Sequence, residues 1–394
     1  MGYFSAVPVG GWRMKVGIHA AGLVAYGGGE KYVCKIAEIL SKQHEVDLLT
    51  FAISEREVAP VLSTLENRLN VDLKNVHLRV LSTLSIMKRI PYTNTLMQSL
   101  VLSKCSREYD LFVNQPDVRF PQPAYANKNI VVIQAPVTNV KKPALFGYAG
   151  MKLFFDTNLS TYDKIVVYSN FVKKTVEKKY SRDVEVLYPP IDVAPRSVTS
   201  KERIILSVGR FFTGWHSKKQ LEMIQTFKQL CNDAKLDEAG WEYHLVGGWW
   251  NVNGQQYGKM CEQEAKGYPI FFHFSAPFET VTDLYRRSAL FWHATGFDED
   301  ENKYPEKMEH FGMATAEAMS AGCVPIVVRK GGQREIVHHD IDGMLWDTLD
   351  GLKEYTLQLI NEPEKRERLA SAAIETSRRF DTDQFEIKVK QLFI

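Results

Sequence analysis

What this 394-residue sequence has little of narrows the choices first. Only five cysteines occur, Cys34, Cys105, Cys231, Cys261 and Cys323, an odd number with no CxxC pair. Neither a disulfide framework nor a zinc site is therefore expected. An excess of one charge is also missing: 49 Lys and Arg stand against 47 Asp and Glu, a formal net charge of +2. That balance gives no global field for gripping nucleic acid. No apolar run approaches the roughly 18–20 residues that span a bilayer, and the N-terminus lacks a charged-then-apolar signal segment. A cytoplasmic protein without a membrane span is the expectation.

What is present fits a soluble enzyme of two domains. Apolar residues make up 45% of the chain and charged residues 24%, an ordinary globular balance, and the length is about twice that of a single domain. Short β-rich runs alternate with longer helical stretches, the pattern of parallel sheets covered by helices. In the first half the strand candidates are 14–19, 45–50, 76–81, 109–114, 129–134, 164–169 and 184–187, with a helix at 30–41. The segment Tyr188-Pro-Pro-Ile-Asp192 stops regular structure, and 194–200 reads as a linker. Strands at 203–208, 242–246, 270–274, 290–294 and 324–328 then restart the alternation, with helices at 218–234, 280–288 and 314–321. This predicts an α/β protein of two doubly wound sheets, with ligands in the cleft beyond the carboxyl ends of the strands.

The sharpest chemical signal is Glu309-His-Phe-Gly312-Met-Ala-Thr-Ala-Glu317, two carboxylates bracketing a loop-to-helix transition ahead of a buried strand. A helix N-terminus offers unpaired N–H groups and a positive dipole end, which suits a diphosphate. Carboxylates accept well from sugar and ribose hydroxyls. Gly27, Gly28 and Gly29 lie between the first strand and first helix, where bare backbone can approach a phosphate. Two other patterns fail. Gly209 and Gly214 have P-loop spacing, but Trp215 stands where the lysine should be. Asp298, Asp300, Asn302 and Glu309 have calcium-loop spacing, but Lys303 replaces the turn glycine.

These residues carry a resemblance. The Glu309 to Glu317 string resembles the E-x7-E signature of retaining glycosyltransferases of family 4 (glycosyltransferase group 1), which have the GT-B fold. Ser207-Val-Gly-Arg210-Phe, Lys218 to Phe227, Gly27 to Glu30, Lys164 to Asn170, Leu187 to Asp192 and Gly331-Gly-Gln-Arg-Glu335 stand in the family's order. The resemblance implies two Rossmann-like domains facing a central cleft: an acceptor-binding domain at 14–192, a nucleotide-sugar-binding domain at 201–376, and a C-terminal helix at 377–394 that crosses back to the first domain. It implies that Arg210 and Lys218 hold the donor diphosphate, that Glu309 lies by the transferred sugar and Glu317 by the ribose, and that Gly28, Gly29 and the amides of Phe311, Gly312 and Met313 meet the donor. Gln134 stands at or near the position where family members often have a histidine that contacts the sugar, and this departure leaves its role open.

The activity implied is retaining transfer of a hexosyl group from a nucleotide-sugar to a glycan, lipid-linked or other acceptor, with no metal and no cofactor. GDP-mannose is preferred slightly over UDP-sugars because Glu309-His-Phe-Gly resembles some mannosyltransferases. A nucleotide-sugar epimerase or sugar phosphorylase of the same fold and a non-catalytic nucleotide-sugar-binding subunit are the alternatives. Lys141, Lys142 and Lys152 interleave with apolar residues across 136–155. That pattern fits peripheral contact with a membrane as well as it fits an ordinary amphipathic helix.

Overall fold

The computed structural model describes residues 13–23, 27–51, 53–82, 93–116, 121–136, 158–192, 201–249 and 251–394. The basic and apolar stretch at 136–155 and the linker at 194–200 lie almost wholly outside them. The N-terminal lobe runs β1 (Lys15–Ala20), α1 (Gly28–Ser41), β2 (Glu45–Thr50), α2 (Val58–Leu69), β3 (Val76–Val80), α3 (Thr93–Ser106), β4 (Leu111–Gln115), β5 (Lys128–Ile133), β6 (Lys164–Val167), α4 (Asn170–Tyr180) and β7 (Glu185–Val186). The C-terminal lobe runs β8 (Glu202–Val208), α5 (Gln220–Ala234), β9 (Glu242–Gly247), α6 (Val252–Ala265), β10 (Ile270–Phe274), α7 (Phe278–Arg287), β11 (Ser288–His293), α8 (Met313–Ser320), β12 (Val324–Val328), α9 (Gln333–Ile336), β13 (Met344–Trp346), α10 (Leu349–Asn361) and α11 (Pro363–Ser377), followed by α12 (Thr382–Phe393).

Each lobe is built on one parallel sheet. The strand orders are β3-β2-β1-β4-β5-β6-β7 and β10-β9-β8-β11-β12-β13. Both orders reverse beside the lobe's first strand, between β1 and β4 and between β8 and β11, which opens a crevice at the carboxyl ends of those strands. The strand sequences explain the layering. Runs such as Val324-Pro-Ile-Val-Val328 are buried along their whole length, as strands covered by helices on both faces must be. One face of the first sheet packs Val16, Ile18 and Val113 under α1, and the opposite face packs Leu49, Phe112 and Val131.

Several boundaries differ from the sequence expectation for physical reasons. The helix expected from Lys218 starts at Gln220, because Lys219 sits at φ +57 in the left-handed region and breaks the turn. Lys218 therefore belongs to a loop and is free of the helical surface on which it was placed. Strand β13 is three residues long, too short to register as a periodic run.

Helix α12 does not rest on the lobe it follows in sequence. Phe385, Val389 and Phe393 are buried with the core of the N-terminal lobe, and the Tyr32 and Phe385 rings meet edge to face with centroids 5.3 Å apart. Lys128 and Lys164 donate to the last carbonyls of the helix, at Phe393 (2.9 Å) and Leu392 (3.2 Å), where the negative end of its dipole favours cations. The two chain crossings run side by side: Ile191 N–H donates to the Phe380 carbonyl at 2.9 Å.

Candidate active site

The expected site residues converge on the cleft from both lobes. From below comes the segment after β8. Arg210 stands two residues beyond the strand, after Gly209, and Gln220 donates to its carbonyl at 3.0 Å. Burial pulls the Arg210 guanidinium downward from its usual range, opposed by the charges of Glu30 and Glu309. Arg210 thus lies in the field of one carboxylate from each lobe.

Glu309 is the hub. Lys218 Nζ lies 2.6 Å from its Oε2, with the two side chains only 15% and 11% exposed. His293, the last residue of β11, lies 2.9 Å from the same oxygen. The Gln333 amide donates to His293 Nδ1 at 3.2 Å, which leaves Nε2 as the protonated nitrogen that donates to Glu309. Burial alone would raise the Glu309 carboxyl. The Lys218 charge and the flanking His216 and His293 outweigh it and hold the group well below the usual carboxylate range. Burial also holds His293 and His216 below the usual imidazole range and His310 at about 4. His216 and His310 stack with centroids 4.8 Å apart, and Trp215 extends the stack outward, 5.6 Å from His216.

Between the two glutamates, Gly312 caps α8 at φ +115, a conformation that glycine adopts without a Cβ penalty. The turn leaves the amides of the first helical residues unpaired within the helix. Gly331 and Gly332 brace this loop from behind: Gly332 N–H donates to the Glu309 carbonyl at 2.7 Å. A Cβ on Gly332 would stand 2.7 Å from both the His310 carbonyl oxygen and Phe311 Cα.

The N-terminal lobe closes the other side. Ser169 donates to the His310 carbonyl at 2.5 Å. Glu335 accepts from the first amides of α4, Asn170 N–H at 2.8 Å and Phe171 N–H at 2.5 Å, and from the Tyr188 hydroxyl at 3.0 Å. Gly28 sits directly on α8: a Cβ there would be 2.6 Å from Met313 Sδ. Gly29 faces Gln134 and Gln115, whose amides a Cβ would meet at 2.7 and 3.3 Å, so Gln134 lies at the cleft on the N-terminal side. Lys31 Nζ bridges Asp192 at 2.9 Å and Glu317 at 3.0 Å.

The structure thus brings Arg210, Lys218, Glu309, Phe311, Gly312, Met313, Glu317, Gly28, Gly29 and Gln134 to one cleft. Sequence reasoning missed Lys31, His216 and Glu335 as cleft residues. His216 was hidden behind Trp215, which had served only to reject a P-loop. Among the described residues no group of three or more His, Cys, Asp or Glu side chains is placed to hold a metal ion. Nor, among those residues, is any helix long and apolar enough to cross a membrane.

Two Rossmann-like lobes facing across such a cleft define the GT-B class. The whole-chain likeness agrees: a glycosyltransferase from Rickettsia africae ESF-5 superposes with a TM-score of 0.68 at 15% identity, covering 97% of this chain and 98% of that one. Anabaena Alr3699/HepE in complex with UDP and glucose gives 0.62 at 17% identity, covering 96% and 99%. A family model described as Glycosyl transferases group 1 matches residues 192–376, the greater part of the C-terminal lobe. Among curated proteins, the GDP-Man:Man(3)GlcNAc(2)-PP-Dol alpha-1,2-mannosyltransferase of Dictyostelium discoideum is 23% identical over 224 residues, covering 55% of this chain and 43% of that protein. The chain spans about half the length of the curated relatives it matches.

Proposed function

We propose that the chain is a retaining glycosyltransferase that moves a hexosyl group from a nucleotide-sugar to a saccharide or lipid-linked acceptor. One observation carries the reading: Glu309 and Glu317 flank the amino end of α8 at the cleft, with Lys218 2.6 Å from Glu309 and Glu317 reached from the facing lobe. A diphosphate at that helix end meets unpaired amides, Arg210 and Lys218. The ribose then falls to Glu317 and the transferred sugar to Glu309.

In the reaction the bond from the anomeric carbon to the phosphate oxygen breaks while the acceptor oxygen bonds to the same face. The acceptor proton passes to the departing phosphate. Arg210 and Lys218 offset the charge that develops on the leaving group, and a preorganised cation in a water-poor cleft does this with little reorganisation. Lys218 is shared between Glu309 and the phosphate, and Glu309 with His293 orients the hexose hydroxyls. No metal enters this reading. GDP-mannose is the preferred donor. The GDP-mannose donor of the Dictyostelium relative supports it, and a UDP-sugar is the next choice.

The test is a panel of GDP-, UDP-, ADP- and dTDP-sugars, scored by thermal shift and nucleotide release for the wild type and for Glu317→Ala. A donor at 100 times its dissociation constant adds about 2.7 kcal/mol of stability. One donor should stabilise and turn over in the wild type and do neither in Glu317→Ala, with the product keeping the donor's anomeric configuration by NMR. Failure of every nucleotide-sugar to bind at millimolar concentration would overturn the proposal.

A further inference from the structure

Among the described residues, Lys31 is a buried cation of the cleft to which the reading above gives no task. It sits in the first turn of α1, three residues beyond Gly28, in the lobe opposite Glu317. The contact that brings it there is specific: bare Gly28 rests on Met313, which seats the amino end of α1 on the amino end of α8. Lys31 then reaches Glu317, one turn along α8. Its side chain is 8% exposed, and Nζ contacts Asp192 at 2.9 Å and Glu317 at 3.0 Å. Burial works against its charge, but the two carboxylates outweigh it and raise the group above the usual lysine range. It is an ammonium at any physiological pH.

The hydrogen-bond inventory leaves room for a ligand. An ammonium has three donors, and two are used by Asp192 and Glu317. Glu317 gives Oε1 to Lys31, and its Oε2 takes the Tyr285 hydroxyl only at 3.3 Å. Its side chain is 23% exposed. A carboxylate has about four acceptor positions, so unused acceptors on Glu317 lie beside an unused donor on Lys31. A vicinal diol matches that pair: its hydroxyl protons go to the carboxylate and one of its oxygens accepts from the ammonium. A lone hydroxyl could bridge the two groups but would leave a further carboxylate acceptor unfilled, and a methylene could serve neither.

We propose that Lys31 completes the donor's ribose site from the N-terminal lobe, so that recognition of the ribose diol and contact between the lobes at α1 and α8 are one event. This rests on the reading that Glu317 holds the ribose. It adds a binding residue supplied by the lobe that otherwise faces the acceptor. It also makes ribose-against-deoxyribose discrimination a property of the assembled cleft.

Two measurements on the full chain test it. First, GDP, UDP and ADP are titrated with their 2′,3′-dideoxy forms against wild type, Lys31→Met, Lys31→Arg and Glu317→Ala. The wild type should prefer the ribose form of its nucleotide by at least about tenfold. Lys31→Met should lose about tenfold for the ribose form and under threefold for the dideoxy form, collapsing the preference, and Lys31→Arg should retain part of it. Full preference in Lys31→Met overturns the proposal while leaving Glu317 in place. A wild type that binds nucleotide without any preference, with Glu317→Ala binding equally well, removes the ribose reading itself.

Second, the wild type is treated at alkaline pH with the periodate-oxidised nucleotide, so that the fraction of Lys31 that has lost its proton is a free amine, held beside the 2′,3′-dialdehyde, and condenses with it with loss of water. Cyanoborohydride then reduces the imine. This needs no variant to fold. Peptide mapping should find the label on Lys31, blocked by excess unoxidised nucleotide, and label confined to other lysines overturns the assignment.

Discussion

Replacing Lys218 by methionine removes a cation while keeping most of the apolar stem, and it should damage stability and turnover by separable routes. Glu309 is only 11% exposed where Lys218 meets it at 2.6 Å, so water cannot take the ammonium's place. Removing one partner of a buried ion pair costs about 3–5 kcal/mol. His293 still donates to Glu309 at 2.9 Å, which places the expectation at the lower end, about 3 kcal/mol. For a lobe of this size that is a drop of roughly 6–12 °C in melting midpoint. The charge-assisted contact to the diphosphate is worth about 1.5–3 kcal/mol, or roughly ten- to two-hundredfold in rate. The double variant Lys218→Met/Glu309→Gln separates the two effects. It no longer strands a buried anion, so it should regain most of the lost melting temperature while staying as inactive as the single variant. Thermal melts and donor consumption on the same preparations read both quantities. A double variant that melts no higher than Lys218→Met would refute the coupling of this pair and with it the account of the Glu309 hub.

Other expectations follow from the same geometry. His19 and His310 are each held at about 4 by burial, against an unfolded value near 6.5. The unfolded chain takes up protons that the folded chain refuses, so stability is fully present above about pH 6.5 and falls as the pH drops toward 4, by up to about 3 kcal/mol per imidazole. Melts from pH 8 to 4 would show this, and a flat profile would contradict it. Gly332→Ala drives a Cβ into the backbone of the donor loop, whereas Gly28→Ala meets only the flexible Met313 side chain. The first should lose at least tenfold in kcat/KM and the second should be relieved by Met313→Ala, as steady-state kinetics on the proposed donor would record. Glu335→Ala leaves the first amides of α4 without their partner across the cleft. It should lower the melting midpoint by a few degrees and increase the radius of gyration in small-angle scattering, and an unchanged scattering curve would count against Glu335 as a clasp between the lobes.

Much of the fold was legible because parallel strands are covered on both faces and read as unbroken apolar runs, as in 324–328 and 129–134. The Glu309 to Glu317 string stood out because glycine and two carboxylates at a helix start have a chemistry of their own. What escaped is long-range. Lys31 looks like any exposed helical lysine beside Glu30, and only the folded chain sets it against a residue 286 positions away. Glu335 was seen as part of a motif, but its partners are backbone amides of another helix, which leave no mark in residue type. Lys218 was assigned to a helix because nothing in Lys218-Lys219-Gln220 signals that Lys219 takes a left-handed conformation.

The placement of α12 has a consequence for how the protein is made. A ribosome releases the strands of the N-terminal lobe first, yet the apolar surface of that lobe over Tyr32 and its neighbours waits for Phe385, Val389 and Phe393, which emerge after the entire second sheet. The first lobe must therefore pass through synthesis with an open flank, exposed to chaperones or to another copy of itself. Its final closure reports that the other lobe has been translated. Removing α12 would accordingly injure the part of the protein made earliest and spare the sheet that precedes the helix in sequence.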